Sequence, residues 1–488
     1  MKNIPGKILF PVIVILMIII TSSLMHAPHM EKDLMGLHVW RQTQTQSTVI
    51  NFYEEDFNIL NPRRNDRGSG DGIFRMEFPL MQWLVAGTYK IFGNHLVICR
   101  IWMLLTGFLT VIGMYFLIKA LTGSEIPALA GAWAINFSPS FYYYTINPMP
   151  DNLALCFGIW GLALFVMWVR SGKKAHFILS GIFLGLSTLV KLPFILYFAV
   201  PAVYFMVKKN DFSFIKKSAI TLVFTLPALA WYFIAVPHWK DNGIVGGILQ
   251  NQAPFSVLMA NFTHHLFINL PELLLNYGAV LPFLAAFYFM FKDRSWRNSL
   301  FRPFTVLAAL LCLYIVFELN MVGKSHDYYL FPFLPLLFIL VGQGFYRLIS
   351  LKNYVFKIIA VLSLLILPLT AYLRIDGRWN PAKPGFNKDL LIYRDELRGA
   401  VPNDALCVAG SDLSHFIFFY YIDKKGWGFD YDHLDENDFR EMIKEGAEYL
   451  YSDSRNAESA PGIAALLDEL VMEKGSIRVY KLKGSHSP

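Results

Sequence analysis

Residues 8–25, "ILFPVIVILMIIITSSLM", form an apolar run, and residues 37–46, "LHVWRQTQTQ", follow it with a histidine, an arginine and three glutamines. If the run is a cleaved signal peptide, the rest of the chain is a secreted protein. If it is retained, that polar stretch lies beside a bilayer. Lys2 and Lys7 precede the run, no A-x-A-like site follows it, and comparable apolar runs recur along the chain. It therefore reads as a retained signal-anchor helix.

Composition supports this reading. The 488 residues are 55% hydrophobic, 16% aromatic and only 16% charged, against about 25% charged in ordinary soluble domains. Mean hydropathy is +0.42. Runs long enough for a hydrocarbon core of roughly 30 Å imply a polytopic membrane protein. We place eleven spans, near 8–25, 96–119, 125–143, 152–169, 176–190, 193–207, 217–236, 272–291, 304–321, 329–348 and 355–373. Cys99, Cys156, Cys312 and Cys407 show neither metal spacing nor a disulfide framework, and read as packing residues.

The loops orient the chain. "RSGKK" (170–174), "KKNDFSFIKK" (208–217), "KDRSWRNSLFR" (292–302) and "RLISLKNYVFK" (347–357) alternate with less basic connections. The positive-inside rule makes them cytoplasmic, so the N-terminus is inside and the C-terminus outside. The first loop (26–95), the 141–151 turn, the 237–271 loop and the 322–328 turn then lie on the extracytoplasmic face of the cytoplasmic (inner) membrane. Residues 1–374 hold 29 Lys+Arg against 16 Asp+Glu, and 375–488 hold 14 against 20. The overall +7 is that of basic membrane loops joined to an acidic soluble segment, and does not point to nucleic acid. The expected domains are a transmembrane domain (1–375) and a small extracytoplasmic α/β domain (376–488). In the latter, "ALCVAG" (405–410), "EYLYSD" (448–453) and "IRVYKL" (477–482) read as strands. "LDENDFREMIKEG" (434–446) reads as a helix capped by Asp435.

Polar groups gathered at one membrane face mark a functional site. If "LHVWRQTQTQ" is helical, His38, Arg41, Gln42 and Thr45 share one face. The plain alternative is an interfacial anchor with Arg41 reaching lipid phosphates. In "RMEFPLMQWL" (75–84), Glu77 precedes Pro79; in "NPMPDNLAL" (147–155), Asp151 stands at the mouth of a span, where a helix cap is an equally good reading. Lys191 falls in the short turn "STLVKLPF". "GKSHDYYLFP" packs Lys324, His326, Asp327, Tyr328 and Tyr329 into one connection. His264 and His265 are adjacent, a spacing that points two imidazoles apart, so no metal site is expected from them.

In this order the motifs resemble the GT-C glycosyltransferases, in the branch of the protein O-mannosyltransferases and lipid A aminoarabinose transferases. The resemblance rests on "HVWRQTQTQSTVINFYEEDFNILNP", "EFPLMQWLVAGTYKIFG", Arg100, Pro150–Asp151, Leu189–Val190–Lys191–Leu192–Pro193, and Tyr328–Tyr329–Leu330–Phe331–Pro332 with Pro335, and covers about residues 1–375. Two positions depart from it. Where the family holds a first-loop acid, its usual general base, this chain has "HVWRQ"; where the family has a basic residue before Pro-Pro-Leu, this chain has Glu77. Either cation and carboxylate have exchanged places between His38/Arg41 and Glu77, or Asp33 is the acid shifted in register.

The resemblance implies a sugar donor on a polyprenyl phosphate, delivered within the bilayer, and an acceptor hydroxyl on a glycan, a lipid or a protein. Polyprenyl phosphate leaves with more negative charge than the donor phosphodiester carries, so cations belong where that charge develops. Arg41, Lys191, Lys324 and His326 are the candidates, with Tyr328 or Tyr329 donating a hydrogen bond, and Gln42 and Trp40 as further substrate contacts. The base on the opposite side of the anomeric carbon is Glu77, Asp151 or His38, in that order, and a single displacement inverts the configuration. No cofactor is expected beyond an optional divalent ion. The rival readings are a glycolipid flippase, which would put charges at mid-bilayer depth in repeated halves, and a polysaccharide ligase or polymerase using lipid-linked glycan.

Overall fold

The computed structural model describes residues 4–207, 213–236, 253–431 and 434–484. The 208–217 and 237–271 loops thus fall partly outside the described residues. Six helices among the described residues are long and apolar enough to cross a membrane: Leu9–His29, Leu96–Thr122, Pro150–Ser171, Arg302–Val322, Asp327–Ile349 and Tyr354–Trp379. Counting each of two bent pairs as one span gives eight. The other expected runs are these two bent pairs and shorter pieces. Lys216–Val223 and Leu226–Ala235 meet at 44°, and Phe255–Leu274 and Tyr277–Lys292 at 111°. Lys174–Val190 and Leu192–Val207 are shorter apolar helices, and the run at 125–143 divides into Glu125–Asn136 and Pro139–Tyr144. Proline explains part of this breakage. Pro139 and Pro227 each sit in the first turn of a new helix, where a missing N–H costs nothing and continuation from the previous helix is blocked.

The chain divides into two compact units. The first comprises Met1–Met30, Met76–Met81 and Cys99–Asp376. Its helices pack through small residues: a Cβ on Gly342 would fall 2.2 Å from the Pro127 carbonyl oxygen, and one on Gly344 1.7 Å from that of Pro282. Close backbone approach of this kind is how helices associate where lipid removes the hydrophobic drive. Phe10, Leu24, Leu313 and Leu373 lie exposed on its surface, where only a bilayer can cover them. This is a multi-pass membrane protein. Cys99 and Cys156 are buried in it, whereas Cys312 is exposed and so does not pack the core as expected.

The second unit comprises Glu31–Arg75, Gln82–Ile98 and Gly377–Pro488. It takes in most of the first loop, which the domain reading from sequence had assigned to the membrane part. Five strands form one sheet: β1 (Leu406–Gly410), β2 (Lys425–Gly428), β3 (Tyr449–Ser452), β4 (Leu467–Lys474) and β5 (Ile477–Leu482), in the order β2-β1-β3-β5-β4. β1 runs parallel to β2 and β3, and β5 antiparallel to β3 and β4. The helix Glu436–Lys444 is capped by Asp435, whose side chain accepts from the Asn437 and Asp438 amides. One apolar core joins Leu34 and Val39 of the first loop to Leu397, Cys407, Phe419 and Tyr421.

Charge ties the same segments together. Burial alone would push the Glu55 carboxyl up, but hydrogen bonds from Arg67 and Lys425 outweigh it and hold it at about 2. His415 stands between Asp66, at 3.1 Å, and Asp430, at 2.6 Å. The bond to Asp66 is the main cause raising its imidazole from 6.5 to about 9. The imidazolium is thus bound more tightly in the folded chain. Its stabilisation is complete below the unfolded pKa, near 6.5, and is lost as pH rises through about 9. With Asp430 half exposed, this contribution should be about 1–2 kcal/mol. Thermal unfolding of the second unit's sheet should therefore lose stability between pH 7 and 10 in the wild type. His415→Gln should flatten that slope; equal slopes in both would exclude the ion pair as its cause.

Candidate functional site

The site is built by an antiparallel hairpin of two helices, Pro150–Ser171 and Lys174–Val190. Two serines fix their register: Ser180 Oγ donates to the Gly161 carbonyl (2.7 Å) and Ser187 Oγ to the Ala154 carbonyl (2.6 Å). One turn beyond the second of these bonds, Lys191 follows Ser187 by four residues and Asp151 precedes Ala154 by three. The register therefore brings them face to face. Lys191 Nζ lies 3.3 Å from Asp151 Oδ1 and 4.0 Å from Glu77 Oε2. The basic loop 170–174 joins the opposite ends of the same two helices.

Asp151 is not a helix cap. The cap position is Met149 and makes no side-chain bond, while Asp151 sits in the first turn. There the helix dipole favours a carboxylate. It is 2% exposed, and its second oxygen has no hydrogen-bond partner among the described residues. Arg100 holds the turn that leads into it: fully buried, it donates to the Ile146 carbonyl (3.3 Å) and to Asn147 Oδ1 (3.1 Å). Glu77 is held through its neighbours. Trp231 Nε1 donates to the Met76 carbonyl (2.9 Å), and its ring meets Phe78 edge-on at 5.0 Å.

A third wall comes from the short helix Asp327–Phe333. Asp327 is fully buried and accepts from Ser140 Oγ (2.6 Å) and the Tyr144 hydroxyl (2.7 Å), so it anchors this helix. The Tyr197 hydroxyl ties the other end to the Pro332 carbonyl (2.9 Å). The Tyr328 and Tyr329 rings then face the Lys191 ammonium at 5.8 and 5.6 Å, within cation–π range. Lys191 and Tyr329 border a cavity of about 570 Å³. Glu77, Lys191, Tyr314, Glu318 and Tyr329 form its polar end, and Ile195, Leu196, Val236, Leu310, Leu313 and Phe317 its apolar wall.

The structure thus gathers Glu77, Asp151, Lys191, Tyr328 and Tyr329. It adds Tyr314 and Glu318, which the sequence reading missed; a carboxylate within the apolar run "LYIVFELNMV" was the signal. Lys324 is exposed and does not border the cavity. His326 donates from Nδ1 to the Val322 carbonyl (3.1 Å), and its ring lies 6.0 Å from that of Tyr329. His265 Nε2 donates to the Gly323 carbonyl (2.7 Å), and the His264 and His265 planes are 81° apart. Among the described residues no three His, Cys, Asp or Glu side chains group as metal ligands do. The carboxylates of Glu77 and Asp151 flank one point, and they are the pair that could hold a cation.

The other expected residues belong to the second unit. The helix there is Val39–Glu54, so His38 is its N-cap, in a left-handed conformation, rather than a member of its face. Arg41 is buried and donates to Gln44, and Gln42 Nε2 donates to the Leu37 carbonyl (2.9 Å). Trp40 borders a separate cavity of about 590 Å³ with Phe386, Asn387, Asp412 and Phe418. Val39, Arg41–Ser47 and Val49 are buried, which does not fit a helix lying on a membrane surface. Asp33, the alternative first-loop acid, is engaged by the Arg394 guanidinium and by the Tyr420 hydroxyl (3.0 Å).

This geometry has relatives. Residues 77–239 match the family model of dolichyl-phosphate-mannose-protein mannosyltransferases. ArnT from Cupriavidus metallidurans, in its apo state, is similar with a TM-score of 0.64 at 14% identity, covering 98% of each chain. The same protein bound to undecaprenyl phosphate gives 0.62 at 13% over 100% of each chain. The apo oligosaccharyltransferase of Archaeoglobus fulgidus gives 0.60 at 12%, over 92% of this chain and 70% of that one. No curated protein matches by sequence. The chain has the fold of the GT-C glycosyltransferases, and its resemblance to the mannosyltransferase and ArnT branch stands on both the family match and the fold.

The pair at the centre, with Asp151 buried and Lys191 partly so, has a measurable weight. Removing one partner of a buried ion pair strands the other charge at a cost of about 3 kcal/mol. Asp151→Asn and Lys191→Met should each lower the thermal midpoint of the detergent-solubilised protein. The double variant should lose less than the sum of the two, and simple additivity in this double-mutant cycle would show that the pair does not interact.

Proposed function

We propose that the protein is a membrane glycosyltransferase that moves a sugar from a polyprenyl-phosphate carrier to an acceptor hydroxyl, with inversion. It would work on the extracytoplasmic side of the cytoplasmic membrane. One observation carries this reading: the Lys191 ammonium stands at the polar end of a cavity whose remaining wall is apolar and reaches the exposed Leu313. A ligand with an anionic head and a long hydrocarbon tail fits such a cavity at both ends. Among the structural relatives, ArnT has been seen bound to undecaprenyl phosphate, and the archaeal oligosaccharyltransferase with an inhibitory peptide and a dolichol-phosphate. Sidedness rests on the basic loops, which join the ends of the hairpin opposite to Lys191.

In this mechanism the donor phosphate binds at Lys191, with Tyr328 or Tyr329 donating to a phosphate oxygen. As the anomeric C–O bond breaks, the electron pair stays on the phosphate, and the nearby ammonium stabilises the added charge. Asp151 orients Lys191. Glu77, whose contact with Lys191 is the looser of the two, takes the acceptor hydroxyl's proton as the new bond forms. Arg41 is proposed as a second phosphate ligand, suited to bidentate contact. No cofactor is needed for these steps, and Glu77 and Asp151 would be the residues to hold an optional divalent ion.

Purified protein supplied with a panel of radiolabelled polyprenyl-phosphate sugars and membranes should label an acceptor. Lipid translocation without transfer would favour the flippase instead. Lys191→Ala and Arg41→Ala should each lower transfer at least a hundredfold, about 3 kcal/mol of lost charge stabilisation, while the protein stays folded in the membrane. Glu77→Gln should abolish transfer across a pH series. A wild-type rate at every pH would remove Glu77 as the base.

A further inference from the structure

Glu318 has no part in the mechanism above, and its position calls for one. It lies in the last turn of the Arg302–Val322 helix, is 8% exposed, and borders the cavity. Its Oε2 is buried and has no hydrogen-bond partner among the described residues. A buried carboxylate oxygen left without a donor is costly, unlike Asp327, which satisfies both its oxygens with Ser140 and Tyr144.

The helix supplies the direction. Leu310, Leu313, Tyr314, Phe317 and Glu318 follow the i, i+3, i+4, i+7, i+8 spacing of a single helical face, and all border the cavity. Over about 12 Å of rise the lining changes from leucine to tyrosine and carboxylate. The hydrocarbon tail of a lipid donor belongs at the leucine end. Its phosphate belongs at Lys191, because a carboxylate repels it. What Glu318 can accept is a neutral hydrogen-bond donor at the polar end, past the tail. We propose that Glu318 is a substrate-binding residue that accepts a hydrogen bond from a carbohydrate hydroxyl. That hydroxyl belongs either to the glycosyl group of the donor or to the acceptor. This rests on the reading of the cavity as a polyprenyl-phosphate-sugar site, and it adds a contact that distinguishes the sugar-bearing lipid from the bare carrier.

The test compares two lipids on the purified full-length protein: sugar-free polyprenyl phosphate and the radiolabelled sugar-bearing donor. Glu318→Ala should bind the sugar-free lipid within about twofold of wild type and the sugar-bearing donor about tenfold or more weakly, the range of a hydrogen bond to a charged group. Unchanged binding of both lipids with a raised KM for the acceptor also supports the proposal, and assigns the hydroxyl to the acceptor. Equal weakening of both lipids, or no change in either lipid or in the acceptor KM, overturns it. Glu318→Gln keeps the side chain's shape and should show the same pattern more weakly, so a folding defect in the alanine variant does not decide the outcome. Wild-type protein that binds neither lipid overturns the donor reading itself, and this proposal with it.

Discussion

An ammonium partly withdrawn from water where two membrane helices begin and end calls for a partner, because desolvation of an unpaired charge is not repaid. Lys191 meets that requirement with Asp151 at 3.3 Å, and the pairing ranks the parts around it. Asp151 has to sit in the first turn of its helix, so the preceding turn has to be fixed; buried Arg100 fixes it. The two helices have to hold one register, which Ser180 and Ser187 set through bonds to carbonyls across the hairpin. The tyrosine wall has to face the same point, and Asp327 and Tyr197 secure it from either side. Each of these bonds helps to determine where Lys191, the one cation among the described residues of the cavity wall, stands.

The sequence made much of this visible for a simple reason. Ionisable residues in an apolar chain are few, so the ones that remain are conspicuous. Lys191, Asp151 and Glu77 stood out on that ground, and alternating basic loops put them at the same ends of their helices. Glu318 is masked by the long apolar run around it, whose length reads as a span. His326 and Lys324 stand out by density in "GKSHDYYLFP", but of that cluster only Tyr329 borders the cavity, and the helix begun at Asp327 leaves Lys324 exposed.

In the second unit, β1, β3 and β5 were legible as short runs rich in apolar and aromatic residues. β2, "KGWG", has too few such residues to register, and β4, "LDELVMEK", carries the charge spacing of a helix. Its place is set by pairing with β5, which overrides local preference. The first loop's inclusion in this unit was not legible at all. It depends on contacts hundreds of residues apart in sequence, such as Asp66 with His415 and Leu34 with the Tyr421 hydroxyl.

Charge balance gives the site its asymmetry. Among the described residues, Glu77 and Glu318 border the cavity with Lys191 as its one cation, and Asp151 stands 3.3 Å from that lysine. On the proposed function, a lipid-linked sugar would settle with its phosphate drawn to Lys191 and its sugar toward the carboxylates. Under the same reading, Lys191 alone would not neutralise a departing phosphate. Under the proposed transfer a further positive charge would have to join, and Glu77 and Asp151, both within 4.0 Å of Lys191, would be the residues to hold it if it were a divalent ion.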